Sequence, residues 1–158
     1  MRSGNKIYSP VRQFAAKLLV TFLFLLLAAQ AHAQDTLAAI AHEKGAPSSL
    51  SKNELKSVLL GERQRWSNGT KVVIALMKTN NELGETISRN VFNMKPDELN
   101  KHWLALVFQG KASAPNFFNS VSELESFVSQ NPGAIGITNQ PVSLPNIKTI
   151  TVDRKETL

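Results

Sequence analysis

The feature of this sequence that most limits its fold is an apolar run near the start of the chain, Leu18–Ala29. The residues before it carry four basic side chains and no acidic one, and Ala31-His32-Ala33 follows as a small-x-small pattern. This order is typical of a secretory signal peptide. We therefore predict a signal peptide over residues 1–33, with cleavage after Ala33.

The alternative interpretation of the apolar run is a membrane anchor that stays on the protein. Twelve residues rise about 18 Å as an α-helix, whereas the hydrocarbon core of a bilayer is roughly 30 Å thick. The length of the run therefore favours a cleaved leader. Residues 34–158 have room for one hydrophobic core, so we predict a single domain there.

Charge and cysteine content narrow the classes of function. The 158-residue chain has 18 Lys and Arg against 12 Asp and Glu, but removal of the leader lowers the formal net charge from +6 to +2. No basic run with interleaved aromatic residues remains, which speaks against nucleic-acid binding. The chain has no cysteine, which excludes disulfides, thiol catalysis, thiolate metal sites and a lipidated cysteine anchor. We expect a periplasmic protein with no membrane anchor after processing.

Apolar runs that alternate with amphipathic stretches predict the class of fold. Such a pattern favours an α/β domain with a small mixed sheet and helices packed on it. Val72–Met77 is a continuous apolar run, as expected of a strand covered on both faces. The other predicted strands are Leu37–Ala41, Ala134–Ile137 and Ile147–Val152.

The first predicted helix, near 50–60, has signals at both ends. Ser51 and Glu54 have the spacing of a capping box, and Leu50 and Leu55 have that of a hydrophobic staple. Gly61 is placed as the residue that ends the helix.

Three further helices are predicted from weaker signals. The second helix is predicted to start near Thr79 to Asn81, where Thr79 and Glu82 repeat the capping spacing. Pro96 is placed as the first residue of a third helix, and a fourth begins at Ser120 or Ser122. Residues 111–119 between the last two are predicted to be a loop. The apolar face of the third helix is predicted to contain Leu99, Trp103, Leu106 and Val107.

No catalytic or metal-binding constellation is evident. Ser49-Leu50-Ser51-Lys52 has the S-x-x-K form of penicillin-recognising enzymes, but the partner motifs S-D-N and K-T-G are absent. His42 and His102 lie sixty residues apart, with no carboxylate at a metal-binding interval. We therefore predict a protein that is not an enzyme, with no catalytic residues, no metal and no cofactor.

The starts of the helices are the best candidates for a binding site, because the free backbone amides and the partial positive charge there favour oxyanions. The alternative is that the polar residues at these positions bind their own backbone as caps. Side chains that can add donors around the first two helix starts are Ser48, Ser49, Thr79, Asn80 and Asn81. Arg63, Arg65 and Trp66 either line a cleft or form a solvated turn.

Three segments together resemble phosphate-type substrate-binding proteins of ABC importers, which have a type II periplasmic-binding-protein-like fold. They are Leu50-Ser51…Leu60-Gly61…Trp66, Trp103…Phe108-Gln109-Gly110-Lys111 and Asn131-Pro132-Gly133-Ala134-Ile135-Gly136-Ile137. The resemblance covers about Leu37 to Val152, and is greatest to the short stand-alone members.

The resemblance implies one lobe of a fold whose full-length members close two lobes on a ligand. It places Lys78 where the family has a phosphate-binding arginine, while the family's S-G-T is absent and Glu82 adds a negative charge. Lys78 thus joins the candidate ligand-binding residues. One hypothesis is a periplasmic, non-catalytic protein that binds phosphate or another small oxyanion. The alternative is a ligand-free interaction module that self-associates or pairs with another envelope protein.

Overall fold

The computed structural model describes residues 36–158. The predicted signal peptide lies outside these residues, so the leader and the boundary of the 34–158 domain stay predictions. The elements are β1 Ala38–His42, β2 Ser49–Leu50, α1 Lys52–Leu59, β3 Val73–Met77, α2 Glu82–Asn90, α3 Pro96–Phe108, β4 Asn116–Phe118, α4 Val121–Gln130, β5 Ala134–Thr138 and β6 Ile147–Val152.

The six strands form one mixed sheet in the order β2-β6-β1-β5-β3-β4. β1 is antiparallel to its neighbours β5 and β6. The pairs β2–β6, β3–β5 and β3–β4 are parallel, so every strand except β1 runs in one direction. The predicted α/β fold with a small mixed sheet and packed helices is confirmed.

The core lies on both faces of the central strands. All five residues of β5 are buried, which requires cover on each face of the sheet. α4 packs against β1, β3 and β5, and its Leu124 and Val128 are fully buried. Val72–Met77, predicted as a strand covered on both faces, is buried at every position except the half-buried Val73.

The predicted start of the first helix is confirmed in detail. The Ser51 hydroxyl accepts a hydrogen bond from the Glu54 amide at 3.2 Å, and the Glu54 carboxylate accepts one from the Ser51 amide at 2.9 Å. Pro96 is the first residue of α3, and α4 begins after Ser120, the first of the two predicted positions. These starts depend on residues within one turn of each other, which is why the sequence specifies them.

The predicted start of α2 near Thr79 to Asn81 is confirmed, but Thr79 is not its cap, and one predicted loop is wrong. The cap of α2 is Asn81, whose side chain accepts from the Gly84 amide, whereas the Thr79 hydroxyl accepts from the Asn100 amide group at 2.9 Å. The predicted loop 111–119 contains the short strand β4, which pairs with β3. In both places a contact with a distant part of the chain decides the structure.

The outer face of α3 also differs from its predicted pattern. Leu99 and Trp103 are buried and Leu106 is half-buried, but Val107 is 41 % exposed. Leu104 and Phe108 beside it are 58 % and 83 % exposed. Apolar residues of α3 therefore lie on its buried side and also on its exposed side, and the exposed side has no neighbour among residues 36–158.

No helix among the described residues has both the length and the apolar character needed to span a bilayer.

Candidate binding cleft at the carboxyl edge of the sheet

Three helices begin at one edge of the sheet. β2, β3 and β4 run in the same direction, and each leads directly into a helix start, of α1, α2 and α4 in turn. Because β2, β3 and β4 point the same way, their carboxyl ends lie at one edge of the sheet. The three helix starts that follow these strands therefore share that edge. Ligands of open α/β sheets bind outside the carboxyl ends of the strands.

A cleft of about 290 Å³ lies at this edge, between the starts of α2 and α4 and the residues that follow β5. We call it the carboxyl-edge cleft. Met77 forms its wall from the end of β3. The other lining residues are Asn81, Glu82, Leu83, Asn119, Ser120, Val121, Asn139 and Gln140.

At the start of α2 part of the backbone is already satisfied. The Asn81 side chain accepts from the Gly84 amide at 2.8 Å, and its backbone carbonyl accepts from the Glu85 amide. Glu82 and Leu83 are lining residues of the cleft, and their backbone amides make no hydrogen bond within residues 36–158. These two donors are available to a ligand.

The start of α4 has the same arrangement. The Ser120 hydroxyl accepts from the Glu123 amide at 3.3 Å, and the Glu123 carboxylate accepts from the Asn119 amide at 3.1 Å. This leaves the Val121 and Ser122 amides without a partner in the described part of the chain. Two helix starts therefore bring free donors and partial positive charge to one cleft.

The two starts are tied to each other and to β3. The Asn81 side-chain amide donates to the Asn119 carbonyl at 3.4 Å. A Cβ at Gly84 would come within 2.0 Å of the Lys78 carbonyl oxygen, so the absence of a side chain lets the loop after β3 pass over the helix. These contacts fix the start of α2 relative to the start of α4 and to the loop after β3.

Of the residues predicted around α2, Asn81 is the one that lines the carboxyl-edge cleft. Lys78, Thr79 and Asn80 line a separate open groove of about 360 Å³ with Asn100 and Phe117. Lys78 therefore does not place its charge among the lining residues of the cleft. Glu82 is one of those lining residues, and its negative charge offsets part of the positive charge at the helix starts.

Ser48 and Ser49 lie far from this cleft. β2 and β3 are four strand intervals apart, about 19 Å at the usual spacing of neighbouring strands. The start of α1 beside them is already occupied by carboxylates, since Asp153 accepts from the Lys52 amide at 3.3 Å and Glu54 bonds Ser51. The structure therefore does not bring the two predicted groups of residues together.

Eight of the nine lining residues were not predicted as site residues, and four of these eight are uncharged polar residues: Asn119, Ser120, Asn139 and Gln140. Each directly follows a strand that runs parallel to β3, which is the signal that could have found them. Asn119 and Ser120 were missed as site residues because β4 was assigned to a loop. Asn139 and Gln140 follow β5, where the Gln140 amide donates to the Thr138 hydroxyl at 3.1 Å.

The two described histidines have structural partners. Nδ1 of the buried His42 accepts from the Lys44 amide at 2.9 Å, and Nε2 of His102 lies 3.0 Å from the Leu60 carbonyl. Among residues 36–158 no group of three or more His, Asp or Glu side chains is arranged to hold a metal ion.

Solved structures that are similar in fold to this chain include two that are named as phosphate-transport proteins. An ABC-type phosphate transport receptor from Vibrio cholerae superposes with a TM-score of 0.58 at 13% identity, over 78% of this chain and 48% of that chain. A putative phosphate ABC transporter substrate-binding protein from Clostridium perfringens, with bound phosphate, superposes with a TM-score of 0.61 at 17% identity, over 77% of this chain and 46% of that chain. PstS from Borrelia burgdorferi superposes with a TM-score of 0.56 at 15% identity, over 76% of this chain and 48% of that chain.

The resemblance predicted from the sequence is thus confirmed at the level of the fold. The chain spans about half the length of the solved structures that it matches, as expected of one lobe. No family model and no curated protein matches the sequence.

Proposed function

We propose that this protein is a non-catalytic periplasmic binding protein that holds a small oxyanion of the phosphate type in the carboxyl-edge cleft. The observation that carries the proposal is the meeting of two helix starts, with the free amides of Glu82, Leu83 and Val121, at one cleft. Preorganised amides at helix starts bind oxyanions without a metal or a catalytic side chain. The match to phosphate-transport proteins supports the same class of ligand.

Two features of the cleft predict weak binding by this chain alone. The cleft opens to solvent between α2 and α4, so a bound ion keeps much of its water, whereas tight small-molecule sites bury most of their ligand. The chain also spans only about half the length of its structural matches. We propose that a second chain, another copy or an envelope protein, supplies the opposing wall.

The carboxylate of Glu82 is expected to lower the affinity further. It is the first residue of α2 and lines the cleft, so it competes with an incoming anion for the positive end of the helix. Replacement of Glu82 by glutamine keeps the shape and removes the charge. We expect the Glu82→Gln variant to bind inorganic phosphate about fivefold more tightly than the unchanged protein.

The experiment that tests the use of the backbone amides is the Val121→Pro variant. Val121 is the first residue of α4, where proline is tolerated, and Ser120 before it has φ −132° and ψ 154°, which suits a residue that precedes proline. The variant loses one free N–H and keeps the helix. We expect phosphate affinity, measured by isothermal titration calorimetry, to fall about tenfold.

The matched control is Val121→Ala, which removes the side chain and keeps the N–H. Its affinity for phosphate should stay within about twofold of the unchanged protein. Equal binding by the proline and alanine variants would contradict the use of this amide. Absence of any response to phosphate or sulfate by the unchanged protein and by Glu82→Gln would refute oxyanion binding in the cleft.

A specific observation also favours the second candidate function, an interaction module. Leu104, Val107 and Phe108 form an exposed apolar patch on α3, and Phe108 is 83 % exposed. Contiguous exposed apolar residues mark interaction sites in soluble proteins. Under this hypothesis the protein binds no anion, and Phe108→Ser abolishes its self-association or its crosslinking to an envelope partner.

A further inference from the structure

A second cleft lies at the opposite, amino edge of the sheet. Its lining includes Val73 and Asn116, the first residues of β3 and β4, and Val72 and Ala114, which precede these strands. Val73 and Met77 are four residues apart on β3, so its length separates the two clefts by about 13 Å. We call this second site the amino-edge cleft.

The amino-edge cleft has two cations and no carboxylate among its lining residues, Arg63 and Lys71 being the charged ones. The Arg63 guanidinium lies 4.0 Å from the Glu54 carboxylate, at the outer limit of an ion pair, and its side chain is 42% exposed. The Lys71 ammonium makes no ion pair and no hydrogen bond with any residue of 36–158. No residue that lines the cleft therefore supplies a carboxylate to balance these two positive charges.

Uncommitted donors lie beside these cations. The backbone amides of Ala112, Ser113 and Ala114 make no hydrogen bond within the described residues, and this segment forms one wall of the cleft. The Gln64 side-chain amide donates to the Lys111 carbonyl and so ties this segment to the loop that carries Arg63. Successive free amides next to cations are a recurring arrangement for the capture of an anion.

Part of the remaining lining is apolar, beside the polar Gln64, Ser113 and Asn116. Val72, Ile74, Ala112 and Ala114 face a volume of about 100 Å³. That volume holds several water molecules, since one requires roughly 10–15 Å³ on the same measure. An anion with a short hydrocarbon part fits such a site better than a fully hydrated inorganic ion does, because the apolar wall gains from contact with carbon.

We propose that the amino-edge cleft is a second binding site, for a small organic carboxylate. The guanidinium of Arg63 and the ammonium of Lys71 hold the carboxylate, the amides of the 112–114 segment donate to its free oxygen, and the hydrocarbon part lies on Val72 and Ile74. This site does not depend on oxyanion binding at the carboxyl edge.

The probes are butyrate and inorganic phosphate, each titrated into the purified protein at low ionic strength. We expect butyrate to shift the amide resonances of Ala112, Ser113 and Ala114 in NMR spectra, and to leave those of Glu82 and Val121 in place. In the Arg63→Gln/Lys71→Gln double variant the butyrate affinity should fall at least about tenfold. Lys71→Gln alone should show part of this loss, with the Glu54–Arg63 pair intact.

The matched control is Lys101→Gln, which removes one positive charge from the exposed face of α3 and should leave butyrate affinity unchanged. Val121→Pro, which tests the carboxyl-edge cleft, should also leave it unchanged, so the two proposals fail separately. Unchanged butyrate affinity in the double variant would overturn the proposal. So would shifts of residues 112–114 with phosphate but not with butyrate, or the absence of shifts there with either probe.

Discussion

Gly84 provides the sharpest test of how the carboxyl-edge cleft is built. Its ideal Cβ position lies 2.0 Å from the Lys78 carbonyl oxygen and 2.7 Å from the carbonyl carbon, so Gly84→Ala requires a displacement of at least 1.0 Å to reach 3.0 Å. The obstructing atoms are backbone, which no change of rotamer can move. The loop after β3 must therefore shift, or α2 must start later.

Two opposing effects decide the magnitude for Gly84→Ala. Overpacking against a buried backbone group costs about 3 kcal/mol, while the higher helix propensity of alanine returns about 1 kcal/mol. We expect a net loss of about 2 kcal/mol in the free energy of unfolding, which lowers the Tm of a domain of this size by about 8 °C. Urea unfolding followed by circular dichroism measures the loss, and phosphate titration reports whether the displaced loop weakens the cleft.

Gly110→Ala is the comparison variant. Gly110 has a φ of +64°, but nothing lies within 4 Å of its ideal Cβ position. Its substitution carries the strain of a left-handed backbone without a collision, about 1 kcal/mol. A Gly84→Ala protein as stable as the unchanged one, or more stable, would show that helix propensity outweighs the contact and would refute this account of the loop.

Three further predictions concern the scaffold. Ser51→Ala should lower the free energy of unfolding by about 1 kcal/mol, because α1 loses its cap; no change in a urea titration would contradict the capping box. The pKa of Glu54 lies below its ordinary 4.5, first because the Ser51 amide donates a hydrogen bond to its carboxylate and second because the Ser51 hydroxyl does. The ionised carboxylate therefore stabilises the fold fully above pH 4.5, and this stabilisation is lost as the pH falls through the lowered pKa. Unfolding curves between about pH 6 and pH 3 should therefore show a larger loss of stability for the unchanged protein than for Glu54→Gln, and equal losses would count against this contribution. Phe108→Ser should change stability by less than about 0.5 kcal/mol, since the side chain is exposed, and a larger loss would show that Phe108 packs inside the protein.

Local signals predicted the elements whose stabilising contacts lie within a few residues. The capping box of Ser51 and Glu54 and the proline at the start of α3 are of this kind, and the structure has both where the sequence placed them. The buried strand over Val72–Met77 was predicted from its continuous apolar run, since a strand covered on both faces leaves no polar alternation. The order of such elements was enough to predict the α/β fold, whereas three sequence segments carried the resemblance to one lobe of a phosphate-type binding protein.

Other features depend on residues that are distant in sequence. β4 has three residues and no periodic pattern of its own; its pairing with β3 makes it a strand. Thr79 and Asn81 are both able to cap a helix, and a hydrogen bond from Asn100, in the next helix, engages Thr79 instead. Leu99 and Trp103 were correctly assigned to the buried face of α3, but Val107 was not, because apolar residues also lie on the exposed side of the helix.

The sequence by itself therefore determined the class of fold, most helix starts and the chemistry of the donors, because short-range contacts and hydrophobic pattern specify them. The tertiary structure alone decided which donors meet. It placed the starts of α2 and α4 beside the end of β5, and left Ser48 and Ser49 four strands away. Proximity of this kind follows from the strand order of the sheet, which no local pattern encodes.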